Sequence, residues 1–104
     1  MSRTIADGTR TQALGRRTFR HLQAYLDAIV TVSEAEIVAA IRLAAEQSRL
    51  VVEPSGALSI AAMVYRAAEL DRDDGSRGPT VAVVSGGNVD PEAYRGYLAA
   101  PLPR

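Results

Sequence analysis

Apolar residues recur along this chain with two different spacings, which predict alternating helices and strands. Between residues 14 and 28 they recur every three or four positions, which is the spacing of one face of a helix. This stripe consists of Phe19, Leu22, Leu26 and Ile29. The β-branched run at 29–32 is instead typical of a short strand.

A second helix is predicted directly after this strand. Ser33 and Glu36 have the spacing of a capping box, in which the serine hydroxyl accepts from the third helical amide and the glutamate reaches back. Apolar residues continue from there at helical spacing to about Gln47. The residues that this helix is expected to bury are Ile37, Val38, Ile41, Ala44 and Ala45.

Residues 50–52 form either a very short strand or an extended link. Pro54 ends this segment because the residue before a proline avoids the helical conformation. Ser55 is then a candidate cap for a third helix over residues 57–70.

The remainder of the chain is predicted to contain an exposed loop, a strand and a helix. Residues 71–79 are polar and rich in turn-forming types, whereas Thr80–Val84 is β-branched. Asp90 as a cap and Pro91 at the first helical position predict a short helix that ends near Leu98.

This order of elements defines the expected fold class. Strands that alternate with helices favour a parallel sheet, and such a sheet is covered on both faces. The two or three strands and four helices predicted here supply only part of such a sheet. We therefore expect an α/β fold with a partial parallel sheet and flanking helices. A chain of 104 residues is one domain at most and small for a self-sufficient α/β domain.

Composition narrows the function classes. The formal net charge is zero, with no basic excess to suggest nucleic acid, and no apolar run is long enough to cross a membrane. Residues 1–7 lack the apolar core of a signal peptide, so a cytoplasmic location is the expectation. There is no cysteine. All 12 basic residues are arginine, and the absence of lysine excludes imine chemistry through a lysine amine for this chain alone.

The best candidate site follows the last predicted strand, at Ser85-Gly86-Gly87-Asn88. In α/β proteins, ligands bind at the carboxyl ends of strands. Two glycines let the backbone approach a ligand closely, and the Ser85 hydroxyl can donate or accept one hydrogen bond. An ordinary strand-to-helix turn has the same composition, so both interpretations stay open at this point.

Three other polar features have simpler explanations. Glu53 lies before a predicted helix, where the helix dipole favours a carboxylate, so capping is the better interpretation. His21 falls on the polar side of the first helix and is expected to face solvent. Asp71, Asp73 and Asp74 are interleaved with arginines, which is more typical of a solvated loop than of a metal site.

Taken together and in order, five segments resemble the C-terminal part of the threonine/serine dehydratase family. These are pyridoxal-phosphate enzymes with a tryptophan-synthase-β-like fold, and serine racemase is among them. The segments are TIADG at 4–8, LG and TF within 14–19, IVTVS with the following glutamates and isoleucine within 29–37, EPSGAL at 53–58, and VVSGGNVD at 83–90. Each segment alone is weak, but five in this order are specific.

The resemblance implies a role for each matching residue in cofactor or substrate binding. Ser85 would hydrogen-bond the pyridine nitrogen of pyridoxal 5'-phosphate, and Gly86 and Gly87 would let the backbone pass near the ring. Glu53 would lie on the cofactor side of the cleft and Gly8 near the ring edge. Thr11 matches a small hydroxyl position near the substrate in some members. The resemblance assigns no catalytic or metal-binding residue to this chain.

The resemblance also implies what the chain lacks. In the family, the Schiff-base lysine, the substrate-carboxylate loop, the glycine-rich phosphate loop and the divalent-cation site all precede this region. Residues 1–104 are thus expected to be an incomplete, C-terminal portion of the large domain. There is no room for the regulatory domain of biosynthetic threonine dehydratases, so the catabolic or racemase-like type is the nearer match.

Two functions follow as expectations. The chain would supply the ring contact and part of the cleft wall of a lyase that eliminates the hydroxyl of a hydroxy amino acid. It would be inactive without an N-terminal half or a full-length subunit as its partner, in a family whose members form homo-oligomers. Alternatively, the chain is a non-catalytic truncated remnant or a binding module.

Overall fold

A computed structural model describes residues 3–71 and 78–103 of the chain. Within these ranges a 3₁₀ turn over Asp7–Thr9 precedes five α-helices. The helices are Arg16–Tyr25 (α1), Glu34–Ser48 (α2), Pro54–Tyr65 (α3), Ala67–Leu70 (α4) and Pro91–Ala99 (α5). Of the described helices, none is both long enough and apolar enough to cross a bilayer.

The third predicted helix is present, but its bounds and its cap differ from the prediction. It begins at Pro54, with Glu53 at the N-cap position, and it is interrupted at Arg66 before α4. Ser55 is therefore inside the first turn, and the prediction that it caps the helix is wrong. Its hydroxyl instead accepts a hydrogen bond from the distant Gly8 amide, at 2.8 Å.

The predicted parallel sheet is not found in the part of the chain that the structure describes. Segments 29–32, 50–52 and 80–84 have no strand assignment, and no backbone ladder joins them. A strand exists only when another strand pairs with its amides and carbonyls. β-Branched composition indicates a preference for a pleated surface, but it does not say which segments lie side by side. The described fold is accordingly helical.

The core lies where α2 packs on α3, with α5 against α2 and the 3₁₀ turn against α3. The only large side chains that are fully buried among the described residues are Ile37, Ile41 and Val52. The other buried apolar residues are Ala6, Ala39, Ala40, Ala44, Ala57 and Ala61. This alanine-rich interior lets the helices approach closely. The expected burial of Ile37, Ile41 and Ala44 is confirmed, whereas Val38 and Ala45 are only half-buried. No residue of α1 belongs to this core.

The N-terminus of α2 is fixed by two sets of hydrogen bonds. The predicted capping box is confirmed, because Glu36 N–H donates to Ser33 Oγ at 3.1 Å and Ser33 N–H donates to Glu36 Oε1 at 2.8 Å. Arg66 then donates to both carboxylate oxygens of Glu36, at 2.7 and 2.8 Å, and to the carbonyl of Thr31 at 3.0 Å. Arg66 thus ties the α3–α4 break to the start of α2.

This arrangement makes stability depend on pH. The Ser33 backbone N–H, and after it the Arg66 side chain, holds the pKa of the Glu36 carboxyl below its ordinary value. A depressed pKa contributes stability above the pKa of the unfolded state, and this contribution is lost as pH falls through the folded-state pKa. At pH values below about 4.5, we expect the free energy of unfolding to decrease. The Glu36→Gln substitution should remove part of this pH dependence.

Urea denaturation followed by circular dichroism between pH 3 and pH 7 measures this effect. Glu92→Gln is the matched control, because the exposed Glu92 carboxylate meets only the exposed Arg95, at 3.1 Å. A pH dependence in Glu36→Gln as steep as that of the parent chain would contradict the assignment.

The C-terminal helix follows its prediction closely. Pro91 is its first residue, and Ala93 N–H donates to the Asp90 carboxylate at 2.9 Å. Arg42 of α2 donates to the Ala100 carbonyl at 2.9 Å, which joins the end of α5 to the core.

Two polar predictions concern residues away from the core. His21 is exposed as expected, with Nδ1 at 2.8 Å from the Arg17 carbonyl. Of the predicted acidic loop, Asp71 is exposed, while Asp73 and Asp74 lie outside the described residues.

Candidate functional site

The turn at Ser85–Asn88 lies against the N-terminus of α3. Glu53 N–H donates to the Gly86 carbonyl at 3.1 Å, and this bond joins the two segments directly. Gly56, one turn into α3, makes the approach possible, because a Cβ there would lie 2.6 Å from Gly86 O and 3.1 Å from Gly86 N. The turn is therefore packed on the helix without room for a side chain between them.

The second glycine of the turn, Gly87, is required because another backbone segment approaches it closely. A Cβ at Gly87 would lie 2.5 Å from the carbonyl oxygen of Val51, which is a rigid backbone atom. A Cβ at Gly86 would meet the Glu53 carboxylate, which is the movable end of a side chain. The close approach observed at these glycines is made to residues 51–56 of the same chain, and the predicted approach to a ligand stays a prediction.

Gly8 reaches the same end of α3 from the N-terminal segment. Its N–H donates to Ser55 Oγ at 2.8 Å, which places the 3₁₀ turn beside the first turn of the helix. Four of the predicted cofactor-binding residues are thus brought to one end of α3. They are Gly8, Glu53, Gly86 and Gly87.

Glu34 holds the segment that carries Gly8. Its carboxylate accepts from the Thr4 hydroxyl and from the Ile5 N–H, the latter at 2.8 Å. Arg10 Nε donates to the Thr4 carbonyl at 2.8 Å and closes the loop on itself. The sequence pattern did not single out Glu34 or the Gly8–Ser55 bond, since both depend on contacts between residues far apart in the chain.

Glu53 occupies the N-cap position, but its side chain makes no capping hydrogen bond. The capping interpretation is therefore wrong for its side chain. The carboxylate is half-buried and lies next to Gly86, where the α3 dipole favours a negative charge. Glu53 thus places a carboxylate against the Gly86 turn at the start of α3.

Two further predicted residues lie at the surface. Ser85 is exposed at the start of the turn, and its hydroxyl makes no hydrogen bond to any residue within 3–71 and 78–103. Thr11 is exposed beyond the 3₁₀ turn, and no hydrogen bond to another described residue ties it to the α3 end. Ser85 is consequently free to bond a ligand, whereas Thr11 is not positioned by the cluster.

Comparison with known proteins identifies the class that this fold and site define. Residues 1–86 match the family model described as pyridoxal-phosphate dependent enzyme. The match covers most of the chain and includes Ser85 and Gly86. The chain therefore belongs to the pyridoxal-phosphate dependent enzyme family.

Individual relatives agree with this family. An L-threo-3-hydroxyaspartate ammonia-lyase of Pseudomonas sp is 41% identical over 96 residues, covering 91% of this chain and 28% of that protein. The serine racemase of Schizosaccharomyces pombe (strain 972 / ATCC 24843) is 40% identical over 97 residues, covering 93% of this chain and 28% of that protein. The resemblance inferred from the five motifs is confirmed.

A solved structure resembles the fold as well. The crystal structure of a threonine deaminase from T.th. aligns with a TM-score of 0.69 and 40% identity, over 85% of this chain and 28% of that one. The chain thus spans just over a quarter of the length of these relatives.

The family implies pyridoxal phosphate as the cofactor. The α3 end suits the ring of this group, because it offers an unpaired hydroxyl at Ser85, a narrow glycine turn and a carboxylate at Glu53. It does not suit the covalent attachment, because the 104 residues contain no lysine. The ring-facing roles of Ser85, Gly86, Gly87, Glu53 and Gly8, and the substrate role of Thr11, remain predictions.

Proposed function

We propose that this chain forms the ring-facing part of the active site of a pyridoxal-phosphate dependent ammonia-lyase. Its substrate would be serine, threonine or a similar hydroxy amino acid, which is the class in the names of the relatives. The observation that carries the proposal is the unpaired Ser85 hydroxyl on a turn that is fixed against α3. The chain would be the C-terminal portion of the family's large domain.

When bound, the cofactor supplies the electron sink that allows the α-proton to leave and the β-hydroxyl to be expelled. The residues of this chain would bind the ring of the cofactor and orient it. The Ser85 hydroxyl would donate a hydrogen bond to the pyridine nitrogen, and as a neutral group it would not hold a full proton there as a carboxylate does. The ring would then be a weaker electron sink, which suffices for elimination of the β-hydroxyl. Glu53 and Gly8, which both lie at the N-terminal end of α3, would border the bound ring.

The chain requires a partner for this activity. The primary amine that binds the cofactor covalently is not among its side chains. We place that amine and the phosphate-binding loop on an N-terminal half of the family's fold, within an assembly that is expected to be a homo-oligomer.

The test is co-expression of this chain with the part of the Pseudomonas ammonia-lyase that lies outside the matched 96 residues. We expect the complex to bind pyridoxal phosphate, seen as visible absorbance, and to release keto acid from threonine, serine or 3-hydroxyaspartate. Ser85→Ala is expected to lower keto acid release by about tenfold, the effect of one lost hydrogen bond.

Ser48→Ala is the matched control, because Ser48 is exposed at the end of α2 and takes part in none of the contacts that join the turn to α3. Equal activity of the two variants would remove Ser85 from the ring contact. A complex that forms without cofactor absorbance or keto acid release would contradict the proposed function altogether.

A second candidate is a non-catalytic binding module. The lack of lysine and the exposed apolar side chains of α1 favour it. This alternative predicts a chain that associates with other polypeptides but never restores cofactor binding, so the same co-expression experiment separates the two.

A further inference from the structure

The interior of α3 contains a serine, Ser59, that contacts the segment carrying Ser85. The Ser59 hydroxyl donates to the Val83 carbonyl at 2.7 Å, which joins residues that are 24 apart in the chain. In the interior of a helix, a serine hydroxyl commonly bonds a carbonyl three or four residues before it. Ser59 is half-buried and instead directs its hydroxyl out of the helix to another segment.

Two hydrogen bonds to α3 lie on either side of Ser85. Val83, two residues before it, accepts from Ser59. Gly86, the residue after it, accepts from the Glu53 N–H at 3.1 Å. No other hydrogen bond joins residues 83–86 to the rest of the chain that the structure describes. The backbone that presents Ser85 is therefore attached to α3 at one point before the serine and at one point after it.

Apolar burial does little to hold the residues that precede Ser85. Val83 is 72% exposed and Val84 is 37% exposed. Within the described ranges, no backbone ladder joins this segment to another one. After Ser85, the backbone of Gly86 is packed directly on α3. Before Ser85, the bond from Ser59 is the contact that fixes the segment.

A second serine hydroxyl of α3 holds another part of the candidate site. Ser55 lies one turn before Ser59, on the same face of the helix, and accepts from the Gly8 N–H. We propose that Ser59 is a positioning residue of this site, whose bond to Val83 sets where the Ser85 hydroxyl meets the cofactor ring. The inference rests on the proposed function, in which Ser85 contacts that ring. It gives a role to a residue that directly follows the EPSGAL segment.

The first experiment measures amide hydrogen exchange in the isolated full chain by NMR. The reporter is the Glu53 amide, because it donates to the Gly86 carbonyl and can exchange when the turn leaves α3. Ser59→Ala should speed this exchange by about fivefold, the factor for one net hydrogen bond. Exchange of the Ile37 amide, which bonds within the first turn of α2, should not change. Ser59→Thr keeps a hydroxyl and should restore the slow exchange.

Ser48→Ala is the matched control for this experiment. It deletes the same atom from a helical serine whose hydroxyl bonds no other described residue, and it should leave exchange of the Glu53 amide as in the parent chain. Unchanged exchange of the Glu53 amide in Ser59→Ala would overturn the proposal. So would equal acceleration of the Glu53 and Ile37 amides, because the substitution would then have loosened the whole chain.

Keto acid release by the co-expressed complex shows whether Ser59 acts through Ser85. Ser59→Ala should lower release by about fivefold in the parent chain. It should cause no further loss in a Ser85→Ala chain, because the hydroxyl that it positions is then gone. No loss in the parent chain, or equal losses in both chains, would overturn the proposal. A complex without cofactor absorbance contradicts the proposed function instead, and exchange of the Glu53 amide then decides the role of Ser59 by itself.

Discussion

Gly56→Ala is expected to lower the free energy of unfolding by about 2–3 kcal/mol, the cost of forcing an extra methyl group into a packed site. The added Cβ would lie 2.6 Å from Gly86 O and 3.2 Å from the Val52 side chain. Gly56 and Val52 are buried, and the closest obstacle is a backbone atom, so a rotamer change cannot relieve the overlap. The turn at Gly86 must move away from α3.

The control for this variant is Gly96→Ala. Gly96 lies inside α5 with nothing within 4 Å of the position of an added Cβ. Because alanine favours helix over glycine by about 1 kcal/mol, this variant should be stabilised. Urea denaturation of both variants provides the comparison. If Gly56→Ala were as stable as the parent chain, the close packing of the turn on α3 would be incorrect.

The same substitution bears on the candidate site. Moving the Gly86 turn breaks the 3.1 Å bond from Glu53 N–H and changes where Ser85 is presented. In the co-expressed complex, Gly56→Ala should therefore reduce cofactor absorbance together with stability. The position of Ser85 should therefore depend on Gly56 in the first turn of α3, and not only on the residues beside Ser85.

The starts of α2 and α5 could be predicted from sequence because their determinants are local, whereas the predicted start of the third helix was wrong. The Ser33–Glu36 capping box and the Asp90–Pro91 start each lie within four residues, and both are present in the structure. The sheet could not be predicted in the same way. Strand pairing depends on which segments meet in space, and in the described residues the β-branched segments do not pair.

The resemblance proposed which residues face the cofactor, which stays a prediction, and it did not indicate what holds those residues together. The order of the motifs grouped Gly8, Glu53 and Gly86, and the structure brings all three to the N-terminus of α3. What holds them there is a bond between Gly8 and Ser55, which are 47 residues apart, and a bond between Ile5 and Glu34, which are 29 apart. No local spacing signals such contacts.

Ile41→Ala is expected to lower the free energy of unfolding by about 2–5 kcal/mol, because it leaves a cavity in a site with no solvent access. Ile41 is 0% exposed, and only Ile37 and Val52 are comparably large and fully buried among the described residues. The surrounding alanines are too short to fill the space. Native domains are stable by only about 5–15 kcal/mol, so this single change removes a large share.

Ile29→Ala is the matched control, since it deletes the same atoms from a side chain that is 82% exposed. Its unfolding free energy should stay within about 0.5 kcal/mol of that of the parent chain. Equal destabilisation of the two variants, measured by urea denaturation, would mean that the isolated chain does not have the core described above. The two isoleucines therefore compare the same loss of atoms at a fully buried site in the core and at an exposed site outside it.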